Sequence, residues 1–372
     1  MEIQESYQLT EIINAAGTFT PLGVSRSSPE VARISAQALT EFFIMDELQD
    51  VASHSIADWC GAEAGTITHC VSAAIVLAVA AAMTGHSTDA IAKLPDTKGL
   101  RNRVVLPAGH AVNYGHPILQ DVRMAGATPV LAGSDNHCST EDLKEQLDND
   151  SVACLLLVSS RLVSGEPVDL TKAVAAAHAQ GLPAIIDGAA QDMRIDDLLE
   201  TGADLILVSA HKYLASPTAG LVIGKKAMVD AVRAQGKGIG RSMKASKEAI
   251  CGVLAAISER QKMDISAWRD QQQEKVDLFV QQANKLPGIK ASLQPDPAGM
   301  PFSRVQLAVE NNGAGLSAES VAAELRLGHP SIWVMTHALS KGCVILELVP
   351  LNNDELGQII SRLLEILESF SG

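Results

Sequence analysis

A series of short apolar segments in the middle of the chain constrains the fold more than any other feature. The segments are 104–106, 128–131, 153–158, 184–186, 205–208 and 220–224. Most of them are separated by helical stretches, such as residues 170–180, which end before Gly181. Strands that are apolar throughout are buried on both faces, and strands that alternate with helices form parallel sheets. The sequence therefore predicts an α/β protein with a mostly parallel sheet.

The length of 372 residues exceeds that of a usual single-core domain, so more than one domain is expected. The sequence predicts an N-terminal arm and helix at 1–50, a large α/β domain at 51–245, connecting helices at 246–287 and a small C-terminal α+β domain at 288–372.

Three local predictions accompany this division. Residues 12–18 have the character of a loop. One helix is expected over 29–49, because Ser27 and Ser28 can cap it and Pro29 suits a first helical turn. A long helical region is expected over 247–284.

Charge and composition exclude several classes of protein. The net charge of −14 argues against a nucleic-acid partner. The longest apolar run, residues 71–83, is too short to span a bilayer, and the polar N-terminus lacks a signal peptide, so a cytoplasmic location is expected. The six cysteines have no metal-binding spacing, which favours reduced thiols and no metal site.

Lys212 and Asp187 are the residues that most suggest chemistry. Lys212 follows the strand at 205–208, and Asp187 ends the strand that begins at 184. Ligands of open α/β sheets bind beyond the carboxyl ends of the strands, so both side chains are expected at one site. A lysine amine forms a Schiff base with an aldehyde, and a carboxylate keeps a pyridine nitrogen protonated. Together these groups make pyridoxal phosphate an electron sink.

Each residue also has a plainer interpretation when it is taken alone. Most lysines lie at the surface, and Asp187-Gly188 is a common turn sequence. The pairing of Lys212 with Asp187 on successive strands favours the cofactor interpretation.

A phosphate group needs donors, and two segments can supply them. Residues 66–72 precede an alanine-rich helix at 73–83, whose first N–H groups would be free to bind an anion. Ser209 lies three positions before Lys212, where its hydroxyl could reach the phosphate. A helix capped by Ser72 with nothing bound is the alternative. His110 follows a strand, where it could stack on the pyridine ring or be an ordinary loop histidine.

Motifs along nearly the whole chain resemble those of the fold-type-I pyridoxal phosphate enzymes. Within that group, the chain is similar to the family of selenocysteine synthase and D-glucosaminate-6-phosphate ammonia lyase. The motifs are INAAGT at 13–18, LG at 22–23, ELQ at 47–49, GAEA at 61–64, His110 with NYG at 113–115, DGAA at 187–190, SAHK at 209–212, GRSMK at 240–244 with KE at 247–248, and GHPSI at 328–332.

The resemblance implies a fold and a set of roles. The fold is a large domain with a mostly parallel seven-stranded sheet and a small C-terminal α+β domain. Lys212 would form the Schiff base and act as the base at the substrate Cα, and Asp187 would pair with the pyridine nitrogen. The other implied cofactor contacts are Ser209 and the backbone of His69, Cys70 and Val71 at the phosphate, His110 on the ring, Ser159, Ser160 or Arg161 near the cofactor hydroxyl, and His211.

The resemblance also implies partners. Such enzymes share their sites between the subunits of a homodimer or of a multiple of dimers, so Arg241 and Lys244 would reach a neighbour's cofactor or substrate. Asn14 and Thr18 are further expected substrate contacts. Arg304 opens a C-terminal strand and is either a fork for a substrate carboxylate or part of a surface ion pair.

Two departures from the family pattern narrow the function. Residues 69–72, here called the phosphate turn, read His-Cys-Val-Ser where the family has Ser-Gly-Ala-Ala. This difference leaves open which residues donate hydrogen bonds to the phosphate. The residues before Asn14 are too few for the tRNA-binding domain of selenium-transferring enzymes, so no such domain is expected, and the negative charge also disfavours tRNA. A small-molecule substrate is therefore expected.

The expected reaction is elimination of a β-leaving group, with release of ammonia and a 2-oxo acid. The substrate would be a small amino acid or an amino-sugar acid such as D-glucosaminate, with or without a 6-phosphate. A racemase or epimerase is the main alternative, and His110, Cys70 or His211 would supply its second acid or base. An NAD enzyme is disfavoured because no G-x-G-x-x-G follows the first strand. A non-catalytic binding protein is disfavoured because Lys212 and Asp187 are both present.

Overall fold

The computed structural model describes residues 3–310 and 315–370. The strands are β1 Ile12–Ala15, β2 Ala64–Thr68, β3 Arg103–Pro107, β4 Thr128–Ala132, β5 Val152–Val158, β6 Ala184–Asp187, β7 Leu205–Ser209, β8 Gly220–Gly224, β9 Ile289–Pro295, β10 Ser303–Val309, β11 Ser331–Val334 and β12 Cys343–Leu346.

The helices are α1 Ile3–Tyr7, α2 Pro29–Leu39, α3 Met45–Cys60, α4 Val71–Thr84, α5 Thr88–Lys93, α6 Ile118–Met124, α7 Thr140–Leu147, α8 Leu170–Ala179, α9 Ile195–Leu199, α10 Lys226–Ala234, α11 Lys247–Lys262, α12 Ile265–Ala283, α13 Ala318–Leu327 and α14 Asn353–Ser369. Within the described residues, no helix is both long enough and apolar enough to cross a bilayer.

The chain divides into two compact units. The large unit runs from Ser27 to Lys262, and the small unit combines the residues up to Arg26 with those from Met263 onward. The helices that the sequence groups as connecting segments are divided between them, because α11 belongs to the large unit and α12 to the small unit.

The large unit contains a seven-stranded sheet. The strand order is β2-β8-β7-β6-β5-β3-β4. Every pair is parallel except the two that β8 makes with β7 and β2. The predicted mostly parallel seven-stranded sheet is confirmed, although β2, at the edge, was not among the predicted strands.

Two apolar layers cover the sheet, as the sequence pattern predicts. Alternate residues of β5 point to opposite faces, so Leu155 and Leu157 join one cluster while Cys154 and Leu156 join the other. Helix α4 lies in the second layer, and nearly all of its residues are buried. A helix that is apolar all round is stable only when it is covered on all sides, and this position explains its alanine-rich sequence.

The small unit is an α+β structure. Strands β12, β10 and β9 form an antiparallel sheet, and β1 pairs in parallel with β11. The prediction of a loop over 12–18 is wrong for its first half, since Ile12 pairs with Ser331 in this second sheet. A four-residue strand that depends on a partner far along the chain gives no periodic signal in the sequence.

Both long helical predictions are wrong at one internal point. The region 29–49 contains α2 and α3, and the break follows Thr40. The region 247–284 contains α11 and α12, and Asp264 starts the second helix by accepting a hydrogen bond from the Ala267 N–H at 3.0 Å. Such a cap is a helix start signal, and at Asp264 it marks the break in an otherwise continuous helical pattern.

Candidate active site

Four predicted residues lie in a row along one edge of the large sheet. His110 follows β3, Ser159 follows β5, Asp187 ends β6 and Ser209 ends β7. These strands are consecutive neighbours and parallel, so their carboxyl ends meet at the same edge. Lys212 lies three residues beyond β7, and its N–H donates to the Ser209 carbonyl at 3.3 Å. The structure therefore brings the main predicted chemical groups together.

Asp187 is a buried carboxylate whose negative charge is stabilised by few neighbouring groups. Only 4% of the residue is exposed, and Oδ1 accepts a hydrogen bond from the Ala189 N–H at 3.0 Å. Burial raises the pKa of Asp187 to about 6, against the opposing effects of Lys212 and the Ala189 N–H, and the negative charge of Asp121 raises it further. A buried carboxylate in this state would gain stability from a cationic partner.

The Lys212 amine lies in an unusual environment for a lysine. Burial lowers its pKa, the carboxylates of Asp187 and Asp192 oppose this effect, and the Arg161 guanidinium adds to it. An amine with a lowered pKa is more often unprotonated near neutral pH and is therefore a better nucleophile. Arg161 itself is exposed on the loop after β5.

His110 is a neutral imidazole in a fixed position. The residue is 2% exposed, and its Nδ1 accepts a hydrogen bond from the Val158 N–H at 2.9 Å. Burial lowers the pKa of His110 to about 4. The ring is therefore held uncharged at the strand edge, with its proton on Nε2, where a flat aromatic surface can support a planar ligand.

The phosphate turn is built more tightly than the sequence suggests. Helix α4 begins at Val71, and the Cys70 Sγ caps it by accepting from the Ala73 N–H at 3.5 Å. The His69 N–H already donates to the Met243 carbonyl at 3.0 Å, so it is not free for a phosphate in this structure. The first-turn N–H groups of Val71 and Ser72 have no acceptor within the helix, as at any helix start.

Gly220 allows this turn to lie against the sheet. In β8 it pairs with Thr68 on one side and Ser209 on the other. A Cβ at this position would lie 2.5 Å from the backbone carbonyl of Cys70, which is closer than atoms can approach. The Thr68 hydroxyl also donates to the Cys70 carbonyl at 2.9 Å. The turn and Ser209 are thus held on opposite sides of one glycine.

Other predicted residues of the large unit surround this edge. Lys244 forms a backbone bridge with Thr68, which places the 240–244 segment beside the turn, and the side chains of Arg241 and Lys244 are exposed. The His211 Nδ1 lies 3.2 Å from the Ala219 carbonyl oxygen, and burial lowers the pKa of this imidazole. Ser160 is partly buried after β5.

Three predicted substrate contacts belong to the small unit. The Asn14 side chain accepts from the Ala16 N–H at 3.0 Å and donates to the Gly17 carbonyl at 2.8 Å, and Thr18 follows that turn. The Arg304 guanidinium is buried, and its nitrogens lie 2.6 Å from Asp296 and 3.1 Å from Glu347. Arg304 is thus held by two carboxylates of its own unit, and its role as a substrate fork stays a prediction.

A polar network beside the site has no counterpart in the residue roles inferred from the sequence. Asp121 is fully buried in α6 and accepts hydrogen bonds from the Ser72 hydroxyl at 2.6 Å and from the Tyr114 hydroxyl, and the His116 Nε2 lies 2.8 Å from it. Burial and the Asp121 carboxylate raise the pKa of Tyr114. An acidic residue in a short helix is usually exposed, so no sequence signal identifies Asp121 as buried.

These features fit one kind of cofactor. The buried Asp187 carboxylate suits a basic ring nitrogen, the Lys212 amine suits an aldehyde, and the start of α4 suits a phosphate. Pyridoxal phosphate carries all three groups. The donor set of the described residues therefore supports the cofactor that the sequence predicts.

Comparisons with known proteins agree with this interpretation. A family model for class-V aminotransferases matches residues 84–346, which is more than half of the chain. D-glucosaminate-6-phosphate ammonia lyase from Salmonella typhimurium is 32% identical over 98% of this chain and 98% of its own length. A 5'-C-glycyluridine monooxygenase-decarboxylase from a Streptomyces species is 30% identical over 97% of this chain and 91% of its own length.

More distant and structural matches give the same picture. L-seryl-tRNA(Sec) selenium transferase from Aquifex aeolicus is 25% identical over 62% of this chain and 58% of its own length. A solved structure of D-glucosaminate-6-phosphate ammonia lyase matches with a TM-score of 0.91 and 32% identity over the whole of both chains. The family resemblance predicted from the sequence is confirmed.

The raised pKa of Asp187 leads to a prediction about stability. The folded-state pKa of about 6 exceeds the ordinary value of 3.8, so between these pH values the folded protein binds more protons than the unfolded one. Its free energy of unfolding therefore falls as pH rises through this window, by about 3 kcal/mol in total. We expect cofactor-free Asp187→Asn to escape this loss and to be more stable than the cofactor-free parent above pH 6, with little difference near pH 4.

Urea unfolding of the cofactor-free proteins between pH 4 and pH 8 measures the difference. Asp135→Asn is the matched control because Asp135 is exposed, and its free energy of unfolding should stay within about 0.5 kcal/mol of the parent's at every pH. If Asp187→Asn is less stable than the parent at pH 8, the inference that burial of the charged carboxylate destabilises the folded protein is contradicted.

Proposed function

The chain belongs to the pyridoxal phosphate-dependent enzymes of the class-V aminotransferase family, and from this premise we propose that it is an ammonia lyase. Its substrate would be a small amino acid or amino-sugar acid with a hydroxyl group at Cβ, and D-glucosaminate 6-phosphate is the first candidate. The observation that carries the proposal is the match over the full chain, in sequence and in structure, to D-glucosaminate-6-phosphate ammonia lyase.

The proposed cofactor contacts follow from the sheet edge. Asp187 pairs with the pyridine nitrogen, the start of α4 and Ser209 bind the phosphate, and the neutral ring of His110 supports the pyridine face. Bound pyridoxal phosphate supplies an electron sink that makes the substrate Cα–H bond acidic. The buried surroundings of Asp187 exclude water from its carboxylate, which strengthens its attraction for a cationic ring.

Lys212 moves the protons in this proposal. Its amine removes the proton from Cα and then donates it to the departing Cβ hydroxyl group, which leaves as water. The released enamine tautomerises and takes up one water, which gives ammonia and a 2-oxo acid. The lowered pKa of Lys212 supports the first step, because a base must be unprotonated before it can act.

Two other reactions are alternatives to elimination. A racemase needs a second acid on the opposite face, and a pKa of about 4 makes His110 a poor source of protons at neutral pH. The relative that is 30% identical is named as a monooxygenase-decarboxylase, so oxidation with loss of CO₂ is the second candidate. The products and the use of O₂ distinguish the three reactions.

Arg241 and Lys244 are the proposed contacts for a substrate phosphate. Both side chains are exposed beside the phosphate turn, and the described residues place no carboxylate within 4 Å of either cation. Exposed cations without a local partner are suited to bind a mobile anion. Asn14, Thr18 and Arg304 remain predicted substrate contacts, and a cytoplasmic location also stays a prediction.

The first experiment measures the products. We expect the protein loaded with pyridoxal phosphate to release ammonia and a 2-oxo acid in equal amounts from D-glucosaminate 6-phosphate without consuming O₂. A coupled glutamate dehydrogenase assay measures ammonia, semicarbazone absorbance measures the 2-oxo acid, and an oxygen electrode measures O₂. Arg241→Gln and Lys244→Gln should each raise KM for the phosphorylated substrate about tenfold or more, because a charged hydrogen bond is lost.

Two comparisons make this experiment decisive. KM for unphosphorylated D-glucosaminate should not change in either variant, and Lys237→Gln, an exposed lysine of the same segment, should behave like the parent. Uptake of O₂ with release of CO₂ would assign the second candidate reaction, and a change of stereochemistry without ammonia would assign an epimerase. An equal rise in KM for both substrates would remove the phosphate role of Arg241 and Lys244.

A homodimer, or a multiple of dimers, is the proposed assembly. Between α2 and α3 the chain exposes a run of apolar side chains, with Phe42 fully exposed and Ile44 64% exposed. Exposed apolar clusters of this kind are typical of surfaces that bind another protein. The Lys247 Nζ lies 5.7 Å from the centroid of the Phe42 ring, so this run lies near the segment that carries Arg241 and Lys244. This proximity supports active sites shared between subunits.

The assembly can be tested at the same run. We expect the parent protein to sediment as a dimer or a larger even oligomer and Phe42→Ser to shift towards the monomer, because an apolar anchor is lost. Leu278→Ser is the control, since Leu278 is 51% exposed on α12 of the small unit, far from this run in sequence. Sedimentation velocity at several concentrations measures the change. A monomeric parent would exclude the dimer, and a dimeric Phe42→Ser would place the interface elsewhere.

A further inference from the structure

Asp192 is a buried carboxylate that the proposed mechanism does not use. Its side chain has no exposed surface, and it lies in the loop between β6 and α9, five residues after Asp187. Within the described residues, neither carboxylate oxygen has a hydrogen-bond partner. Burying a carboxylate in this way is unfavourable unless a charge compensates for it. The structure provides two cations near Asp192.

Arg260 is the first of these cations. Its guanidinium is almost completely buried near the end of α11, and Nη2 lies 3.1 Å from the Asp192 Oδ2. That contact has the distance of an ion pair. The same Nη2 donates to the Tyr213 carbonyl at 2.7 Å, and Tyr213 is the residue after Lys212. Arg260 thus connects the loop after β6 to the backbone that carries the lysine.

Lys212 is the second cation. Four charged or titratable groups lie around its amine: Asp187 at the end of β6, Asp192 in the next loop, Arg161 after β5 and the adjacent His211. In the proposed function the Asp187 carboxylate is committed to the pyridine nitrogen. Asp192 is then the remaining carboxylate that acts on the Lys212 nitrogen.

We propose that Asp192 and Arg260 form a positioning pair for Lys212. Asp192 supplies the negative charge that holds the Lys212 nitrogen whenever it carries a proton, and Arg260 keeps Asp192 in place through its contacts with that carboxylate and the Tyr213 carbonyl. Asp192 neither gains nor loses a proton, and no covalent bond to it forms or breaks. The two carboxylates thus have different partners: Asp187 compensates the positive charge of the ring nitrogen, and Asp192 compensates that of the lysine nitrogen.

A purely structural role is the competing explanation, and the two differ in what they predict. A buried ion pair that only stabilises the fold would lower the melting temperature when it is broken and leave the lysine nitrogen unaffected. A positioning pair also changes how readily that nitrogen holds a proton. The difference is visible in the absorbance of the bound cofactor, whose Schiff-base band depends on protonation at the lysine nitrogen.

The test is a pH titration of this band in the full-length, cofactor-loaded protein. We expect Asp192→Asn to move the midpoint to lower pH by about one unit or more, because a nearby negative charge that favours the protonated nitrogen is lost. Asp192→Glu keeps the charge, so its midpoint should lie close to that of the parent. Arg260→Gln should move the midpoint in the same direction, since an unpaired buried Asp192 takes up a proton.

Two further variants exclude loss of fold as the cause. Asp192→Asn/Arg260→Gln leaves no unpaired buried charge, so it should recover the melting temperature and keep the lowered midpoint. Asp204→Asn breaks a carboxylate contact with Lys225 of 2.7 Å at the opposite end of β7 and should lower the melting temperature without moving the midpoint. A midpoint equal to the parent's in both Asp192→Asn and the double variant would overturn the proposal.

This inference rests on the proposed role of Lys212, and the two can fail separately. If Lys212 does not bind the cofactor, Lys212→Ala keeps the Schiff-base band, and the proposed function fails. If Lys212→Ala loses the band while the Asp192 variants titrate like the parent, only the positioning pair fails.

Discussion

The attraction between a partly buried lysine and buried carboxylates at one sheet edge is the interaction on which the site depends. Asp187 ends one strand and Lys212 follows the neighbouring parallel strand, and each changes the proton affinity of the other. Burial disfavours charge on both groups, so each gains from a partner that forms a bond or carries the opposite charge. A pyridine ring with an aldehyde and a phosphate satisfies these requirements together. Keeping these groups buried lowers the stability of the cofactor-free protein, but it leaves them already in position to bind the cofactor.

The parts of this structure that follow from local sequence were predictable. Strands β3 and β5 to β7 are apolar on both faces, which identifies a covered parallel sheet, and strand ends then locate Asp187, Ser209 and Lys212. The parts that depend on distant partners were not predictable. Strand β1 exists because β11 pairs with it, and Asp121, Asp192 and Arg260 are buried by elements far away in sequence. The His69 N–H is likewise occupied by a residue from another segment, Met243.

The relatives show why the fold leaves the reaction open. An ammonia lyase and a monooxygenase-decarboxylase are each about one-third or less identical to this chain over nearly its full length. The two names describe different reactions, and one fold can serve both, because function depends on the groups that contact the substrate. The neutral His110, the exposed cations at 241 and 244 and the environment of Lys212 are therefore the features to compare among relatives.

The proposed function requires a covalent bond between the side-chain nitrogen of Lys212 and the cofactor. Borohydride reduction of the cofactor-loaded protein, followed by protease digestion and mass spectrometry, detects this bond. We expect one peptide to gain the mass of a reduced pyridoxyl phosphate group and fragmentation to assign this mass to Lys212. Modification of a different lysine, or recovery of an unmodified Lys212 peptide from a fully reduced and coloured sample, would contradict it.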